Sequence, residues 1–197
     1  MEANELKLYL KTFLDSIKEL EETDKIQLME NIRIKFFKKD EILVREGAFC
    51  NDCYFVLKGC LRKYELKEGK EYTSAFFMEH EAAVFFNPIK TQSPSSSFLV
   101  CSEDSILIIG NPEEEAKAYE NMPKLAAITR KMMEMDLGKM QEQFSHFNQS
   151  NAEERYIHLL NTKPELFNRV PQHQIASYIG ISPESLSRIR RKISGRS

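Results

Sequence analysis

No stretch of this chain is apolar for long enough to cross a bilayer: its longest runs, such as Ala82 to Phe86, fall far below the roughly 18 residues that a spanning helix requires. The start, Met-Glu-Ala-Asn-Glu, has neither the basic residues nor the apolar stretch of a secretory leader, so a cytoplasmic protein is expected. Cysteine is scarce. In a reducing compartment its four residues, Cys50, Cys53, Cys60 and Cys101, are expected to be free or ligating thiols rather than disulfides. No Gly-x-Ser-x-Gly, phosphate loop, dinucleotide fingerprint or His-Glu-x-x-His occurs, so an enzymatic reading has no motif to rest on. His80, His146, His158 and His173 are scattered without metal-ligand spacing and receive no role; His80, between Glu79 and Glu81, reads as a solvated turn. No internal repeat is present, and the serine run Ser95–Ser97 is the only trace of low complexity.

A net charge of −2 by itself selects no partner, but its distribution does. Residues 151–197 hold eight Lys/Arg against four Asp/Glu, which leaves −6 on residues 1–150. A basic end on an acidic body points to contact with a polyanion at that end alone. With 197 residues, 42% apolar and 29% charged, the chain can bury the core of one large or two small globular domains.

From Leu6 to Ile32 apolar residues recur at helical spacing with a break near Glu22-Thr23-Asp24, which predicts two short helices. From about Ile34 the pattern changes to β-rich runs: Glu41–Arg45, Cys53–Leu57, Cys60–Leu66, Tyr72–Met78, Ser97–Cys101 and Ser105–Ile109. Turn residues such as Gly47, Lys58-Gly59 and Glu68-Gly69 punctuate them. Short strands about ten residues apart indicate a small antiparallel sandwich or roll. Pro112 opens the next segment, and Pro123 starts the longer part of a helical stretch from Glu113 to Phe147. Within it Met133, Leu137, Met140, Phe144 and Phe147 form a heptad seam beside a second stripe of Leu125, Ile128, Met132 and Met135. One stripe can pack on the β domain while the other meets a partner helix. The alternative is that both are intramolecular core, and Gly138 and the soft methionines weaken a strict coiled coil. Ser150-Asn151-Ala152-Glu153 has the form of a capping box and marks the next helix and a domain boundary. The division expected is 1–112, 113–149 and 150–197.

Gln172 to Arg191 carries the most specific pattern. Two helices crossing through a tight turn need a small residue at the contact, a glycine in the turn and apolar residues elsewhere in the core. Ala176 and Gly180 meet the first two needs, and Ile175, Ile179, Ile181, Leu186 and Ile189 fill the remaining positions. Ser182 caps the second helix with Pro183 at its first position. The outer face of that helix carries Glu184, Ser185, Ser187, Arg188, Arg191 and Lys192, side chains that read base edges and hold phosphates. The plainer reading is a basic amphipathic helix that caps a domain.

With these residues in place the chain resembles the CRP/FNR family of bacterial transcription regulators over almost its whole length. Lys38-Lys39-Asp40-Glu41-Ile42-Leu43, Arg45-Glu46-Gly47 and Tyr54-Phe55-Val56-Leu57-Lys58-Gly59 look like the family's opening strands and turns. Gly180-Ile181-Ser182-Pro183-Glu184-Ser185-Leu186-Ser187-Arg188 is similar to its recognition helix. The resemblance implies an α+β protein: an antiparallel β-roll (a jelly-roll-like double-stranded β-helix) with flanking helices, a long dimerisation helix and a C-terminal helix-turn-helix. It implies a homodimer on double-stranded DNA. Glu184 and Arg188 would contact bases, Ser187 would assist, and Arg190, Arg191 and Lys192 would hold phosphates. RNA polymerase and a small-molecule effector are further partners of that reading, and a signal would act by changing the angle between roll and dimer helix.

Two departures from the family matter. Aligning on Pro94 places Ser95 where cyclic-nucleotide-binding members carry an arginine, and Val84-Phe85-Phe86 near where they carry Gly-Glu, which argues against cyclic AMP. Any effector would then lie near Phe85, Phe86, Ser95 and Ser96. The second is the short stretch after Ile193, from which no two-stranded wing is expected. The cysteines invite comparison with iron–sulfur relatives, but those place their ligands before the roll, whereas Cys53 and Cys60 fall in expected strands; buried inert thiols, with no metal or cofactor, are the reading taken. The rival readings are a cyclic-nucleotide sensor with an unusual pocket and a cysteine-based metal or redox sensor.

Overall fold

The computed structural model describes residues 3–84 and 93–194. In chain order its elements are α1 (Ala3–Ser16), α2 (Glu22–Asn31), β1 (Ile34–Phe37), β2 (Ile42–Val44), β3 (Cys53–Lys58), β4 (Leu61–Lys67), β5 (Lys70–Phe77) and β6 (Ala82–Ala83). There follow β7 (Phe98–Cys101), β8 (Ser105–Gly110), α3 (Pro112–Asn121), α4 (Pro123–Gln149), α5 (Ala152–Thr162), α6 (Leu166–Arg169), α7 (Gln172–Tyr178) and α8 (Pro183–Ser194). The class is α+β. Every run read as a strand carries one; β1, β6 and the single turn of α6 are elements the sequence reading does not include. Among the described residues no helix is long and apolar enough to cross a membrane.

The strands form two four-stranded sheets, in spatial orders β1-β8-β3-β6 and β2-β7-β4-β5. Pairing is antiparallel for β1 with β8, β2 with β7, and β3 with both β6 and β8. The period of two in a strand sends neighbouring side chains to opposite faces. Leu107 of β8 therefore joins Val44, Tyr54, Val56, Leu61, Leu99 and Cys101 in a core built from both sheets. Its neighbour Ile106, with Ile108 packed alongside, turns to a second core of Leu10, Leu14, Leu20, Leu28, Leu57, Met122 and Ile128 from the flanking helices. Each large apolar side chain so buried contributes about 1.5–3 kcal/mol.

Two compact units are distinguished, residues 1–63 with 76–132, and residues 64–75 with 133–197. In the first, α3 starts where Asn111 accepts the Glu113 N–H at 2.9 Å with Pro112 in the first helical position, where a missing N–H costs nothing. Leu125 and Met132 pack beside Ile128 against the helical core. Lys124 reaches Glu21 and Asp24 at 3.3 and 3.2 Å, and Lys131 reaches Glu19 at 3.0 Å. Met135, expected to extend this stripe, is 57% exposed. Helical spacing fixes which face a residue occupies, but not how far along the helix the neighbouring core extends.

The second unit holds the tip of the β4–β5 hairpin, the rest of α4 and the helices α5 to α8. Ser177 of α7 binds the outer edge of β5: its hydroxyl accepts the Thr73 N–H at 2.9 Å and donates to the Glu71 carbonyl at 3.1 Å. The capping box of α5 stands one residue later than the sequence suggested. Asn151, not Ser150, accepts the N–H groups of Glu153 and Glu154 at 2.9 and 3.1 Å, and Glu154 returns a bond to the Asn151 N–H at 2.8 Å. Asn-x-x-Glu serves as well as Ser-x-x-Glu, and the Ser150 hydroxyl is engaged instead by His146.

Candidate nucleic-acid interface

The interface is built on the turn between α7 and α8. Its glycine closes α7 in a Schellman arrangement: the Gly180 N–H reaches the Ser177 carbonyl at 3.1 Å and the Ile181 N–H reaches the Ala176 carbonyl at 2.9 Å. Gly180 has φ +73°, a left-handed conformation that costs other residues energy. Ile175, Ala176, Ile179 and Leu186 are buried, and Ile181 and Ile189 are half-buried where the pair of helices meets solvent. Ser182 then starts α8, its hydroxyl accepting the Ser185 N–H at 3.2 Å and its carbonyl accepting the Leu186 N–H at 3.0 Å.

This packing leaves one face of α8 outward. Glu184, Ser187, Arg188, Arg191 and Lys192 are exposed, and Ser185 and Arg190 are half-buried. Pro183, Glu184, Ser187, Arg188 and Arg191 line a shallow open concavity. The Ser182 hydroxyl, the N–H at the helix start and the Arg188 guanidinium hold the Glu184 carboxyl below its ordinary range. It is therefore ionised at neutral pH and acts as an acceptor only. Lys192 is not a bare cation: its ammonium pairs with Glu153 at the start of α5. No sequence spacing links positions this far apart, so the sequence offered Lys192 to phosphate alone.

The seam residues of α4 divide. Met133, Leu137, Met140 and Phe144 are 47, 57, 65 and 70% exposed, an apolar row of a kind that normally meets a partner. Phe147, 42% exposed, has contacts of its own within the second unit: the Arg155 guanidinium lies 4.5 Å over its ring.

Of the residues expected around an effector, Ser95 and Ser96 are among those described. Phe85 and Phe86 lie outside the described residues. Ser95 is buried, but its hydroxyl is used by its own turn, donating to the Ser97 carbonyl at 2.8 Å and accepting the Ser97 N–H at 3.1 Å, while Ser96 is exposed. Arg62, only 5% exposed in β4, is a buried cation of the roll that alternation alone does not single out.

All four cysteines are reduced; Cys50, Cys60 and Cys101 are buried and Cys53 is half-buried. Burial first, and then the Glu115 carboxylate accepting the Cys53 S–H at 3.0 Å, push that thiol up to about 12. Burial also raises Cys101 to about 12 and lifts Cys50. Among the described residues no three His, Cys, Asp or Glu side chains gather in a way that could hold a metal ion.

Comparison with known proteins agrees with this architecture. Residues 34–114 match the cyclic nucleotide-binding domain family. Over 175 residues the chain is 26% identical to the anaerobic regulatory protein of Haemophilus influenzae, covering 82% of this chain and 67% of that one. FixK2 of Bradyrhizobium japonicum superposes with a TM-score of 0.66 at 18% identity over 84% of this chain and 85% of its own. CLP of Xanthomonas campestris, a c-di-GMP responsive global regulator, also gives 0.66 at 15% identity, over 85% and 88%. Residues 34–114 are thus similar to a cyclic nucleotide-binding domain, and the chain shares the fold of these two solved structures over most of its length.

Proposed function

We propose that this chain is a homodimeric, sequence-specific DNA-binding regulator that places α8 of each protomer in successive major grooves about 34 Å apart. The observation that carries the reading is the outward face of α8. Its apolar side fills the helix-turn-helix core while Glu184, Ser187 and Arg188 share the opposite, open face with Arg191. Arg188 suits the two acceptors of a guanine, Glu184 the amino group of a cytosine, and Arg191 a neighbouring phosphate.

The partner of the exposed row on α4 is a second copy of the same helix. Packing Met133, Leu137, Met140 and Phe144 against their symmetry mates removes apolar surface from water, and a two-fold axis along α4 matches a palindromic operator. Leu137→Glu is expected to yield monomers in sedimentation velocity; dimers of unchanged stability would argue against this helix as the interface.

The roll takes neither cyclic AMP nor a metal on this reading, because Ser95 is committed to its own turn and the cysteines stay as thiols. Calorimetry with cyclic AMP and cyclic GMP tests the first point, and absorbance after anaerobic purification tests the second. The decisive experiment is a mobility shift with the protein's own promoter region at low salt. Specific retardation is expected, and its absence would defeat the reading.

A further inference from the structure

His146 and His158, which no sequence pattern connects, lie ring on ring. His146 is in the last turn of α4 and His158 is in α5; their centroids are 3.9 Å apart and their planes 21° from parallel. Both side chains are half-buried. Ser150 stands between the two helices with its hydroxyl 3.2 Å from Nε2 and 3.3 Å from Nδ1 of His146. The same turn is tied by Arg155, which donates to the Ser150 carbonyl at 3.2 Å and covers Phe147. Phe147 in turn reaches the glycine of the helix-turn-helix, where a Cβ on Gly180 would meet its Cζ at 3.4 Å. The stacked rings therefore close the corner at which the long helix passes the chain to the helices carrying the reading face.

Such a stack tolerates one charge and resists two. Neutral imidazoles attract as aromatic surfaces, and one imidazolium over a neutral ring remains favourable. Two positive charges about 4 Å apart in a partly dry site repel strongly. Burial first, and then the neighbouring His146, lower the proton affinity of His158, while Glu142, one turn before His146, pulls the other way. On α5 the charged neighbours a turn before His158 are engaged elsewhere, Glu154 at the Asn151 N–H and Arg155 at Ser150 and Phe147.

We infer that the His146–His158 stack is a pH-sensitive clasp on this corner, closed while at most one ring is protonated and opened when both are, so that acidification withdraws α8 from its DNA-binding geometry. The inference rests on the proposed DNA-binding reading for its consequence, but not for the clasp itself. A histidine that is harder to protonate when folded stabilises the fold fully above its ordinary value near 6.5; the contribution is lost as pH falls below it, because the unfolded chain takes the proton first.

The test compares the full chain with His158→Phe, which can stack but not titrate, and His158→Gln, which cannot titrate and does not depend on fitting a larger ring. Binding to a promoter fragment at constant salt and thermal melting without DNA are both measured at pH 7.5 and pH 5.5. His80 and His173 remain in every protein, so the comparison isolates position 158. At pH 7.5 the variants are expected to bind within about twofold of the parent. On acidification the parent is expected to lose about fivefold more affinity than the variants and about 3 °C more in melting temperature. Equal acid responses in parent and variants would overturn the clasp. Absence of specific binding by the parent at pH 7.5 would instead sink the DNA reading, and the melting comparison would still decide the clasp.

Discussion

The ring of Phe147 ends at the turn of the helix-turn-helix, 3.4 Å from the point where a Cβ on Gly180 would stand. The constraint on this glycine is its backbone: a φ of +73° costs an L-residue about 1–2 kcal/mol, while an added methyl group would stand in van der Waals contact with an aromatic ring already covered by Arg155. Gly180→Ala is expected to lower the melting temperature by roughly 3–6 °C for a chain of this size, with weaker DNA binding because the turn sets the crossing of α7 and α8. A melting curve superimposable on the parent's would show that the turn relaxes freely.

Ser177 is the second fixed point of this region. One hydroxyl serves both an N–H and a carbonyl on the outer edge of β5. Ser177→Ala removes both bonds and is expected to cost about 1–3 kcal/mol, while Ser177→Thr, which keeps the hydroxyl, retains most of that stability. Denaturant unfolding of the two variants checks this. Hydrogen exchange at the Thr73 amide should rise in the alanine variant alone.

On the reading face the roles separate by what each group touches. Arg188→Ala is expected to cost about 1–3 kcal/mol of discrimination at one base pair and to leave the other positions unchanged. Lys192→Ala should weaken all sequences alike and lower the salt slope by at most about one, because its ammonium is already paired with Glu153. The same pairing gives Glu153→Gln an opposite effect: the released lysine should raise affinity for every sequence. Binding measured across a salt series on operator and scrambled DNA distinguishes the three variants.

The parts of this architecture visible in the sequence are those that repeat at short range. Alternation marked the strands, Pro112 and Pro123 marked two helix starts, and the Ala176, Gly180 and Ile175 pattern marked the turn, because each depends on residues a few positions apart. What stayed hidden joins distant positions: Ser177 to the β5 edge, Lys192 to Glu153, His146 to His158, and the buried Arg62. Periodicity also overran its evidence at Met135, since spacing gives a face but not its extent. The cap at Asn151 was missed by one residue because Ser150 and Asn151 are chemically equivalent candidates, and only the competing bond to His146 separates them.

The cysteines give the last expectation, and it is one about reactivity. A thiolate, not a thiol, attacks a disulfide reagent or binds iron or zinc. With Cys53 and Cys101 pushed up to about 12, chiefly by burial, both are protonated at pH 8, and a Cys53 thiolate would also face the Glu115 carboxylate. The native protein is therefore expected to react far more slowly with a thiol reagent at pH 8 than the unfolded chain, which should release all four thiols at once. The same shifts carry a stability consequence. A thiol whose folded value lies above its ordinary value of about 9 stabilises the fold fully below that pH; the contribution is lost as pH rises toward 12, since the unfolded chain gives up its proton first. Melting temperature should accordingly hold steady from pH 7.5 to 8.5 and fall from pH 9 to 10.5, with part of that fall removed in Cys101→Ala. Rapid labelling of Cys53 in the native state at pH 8 would overturn the assignment and return the cysteines to the candidates for a redox or metal site.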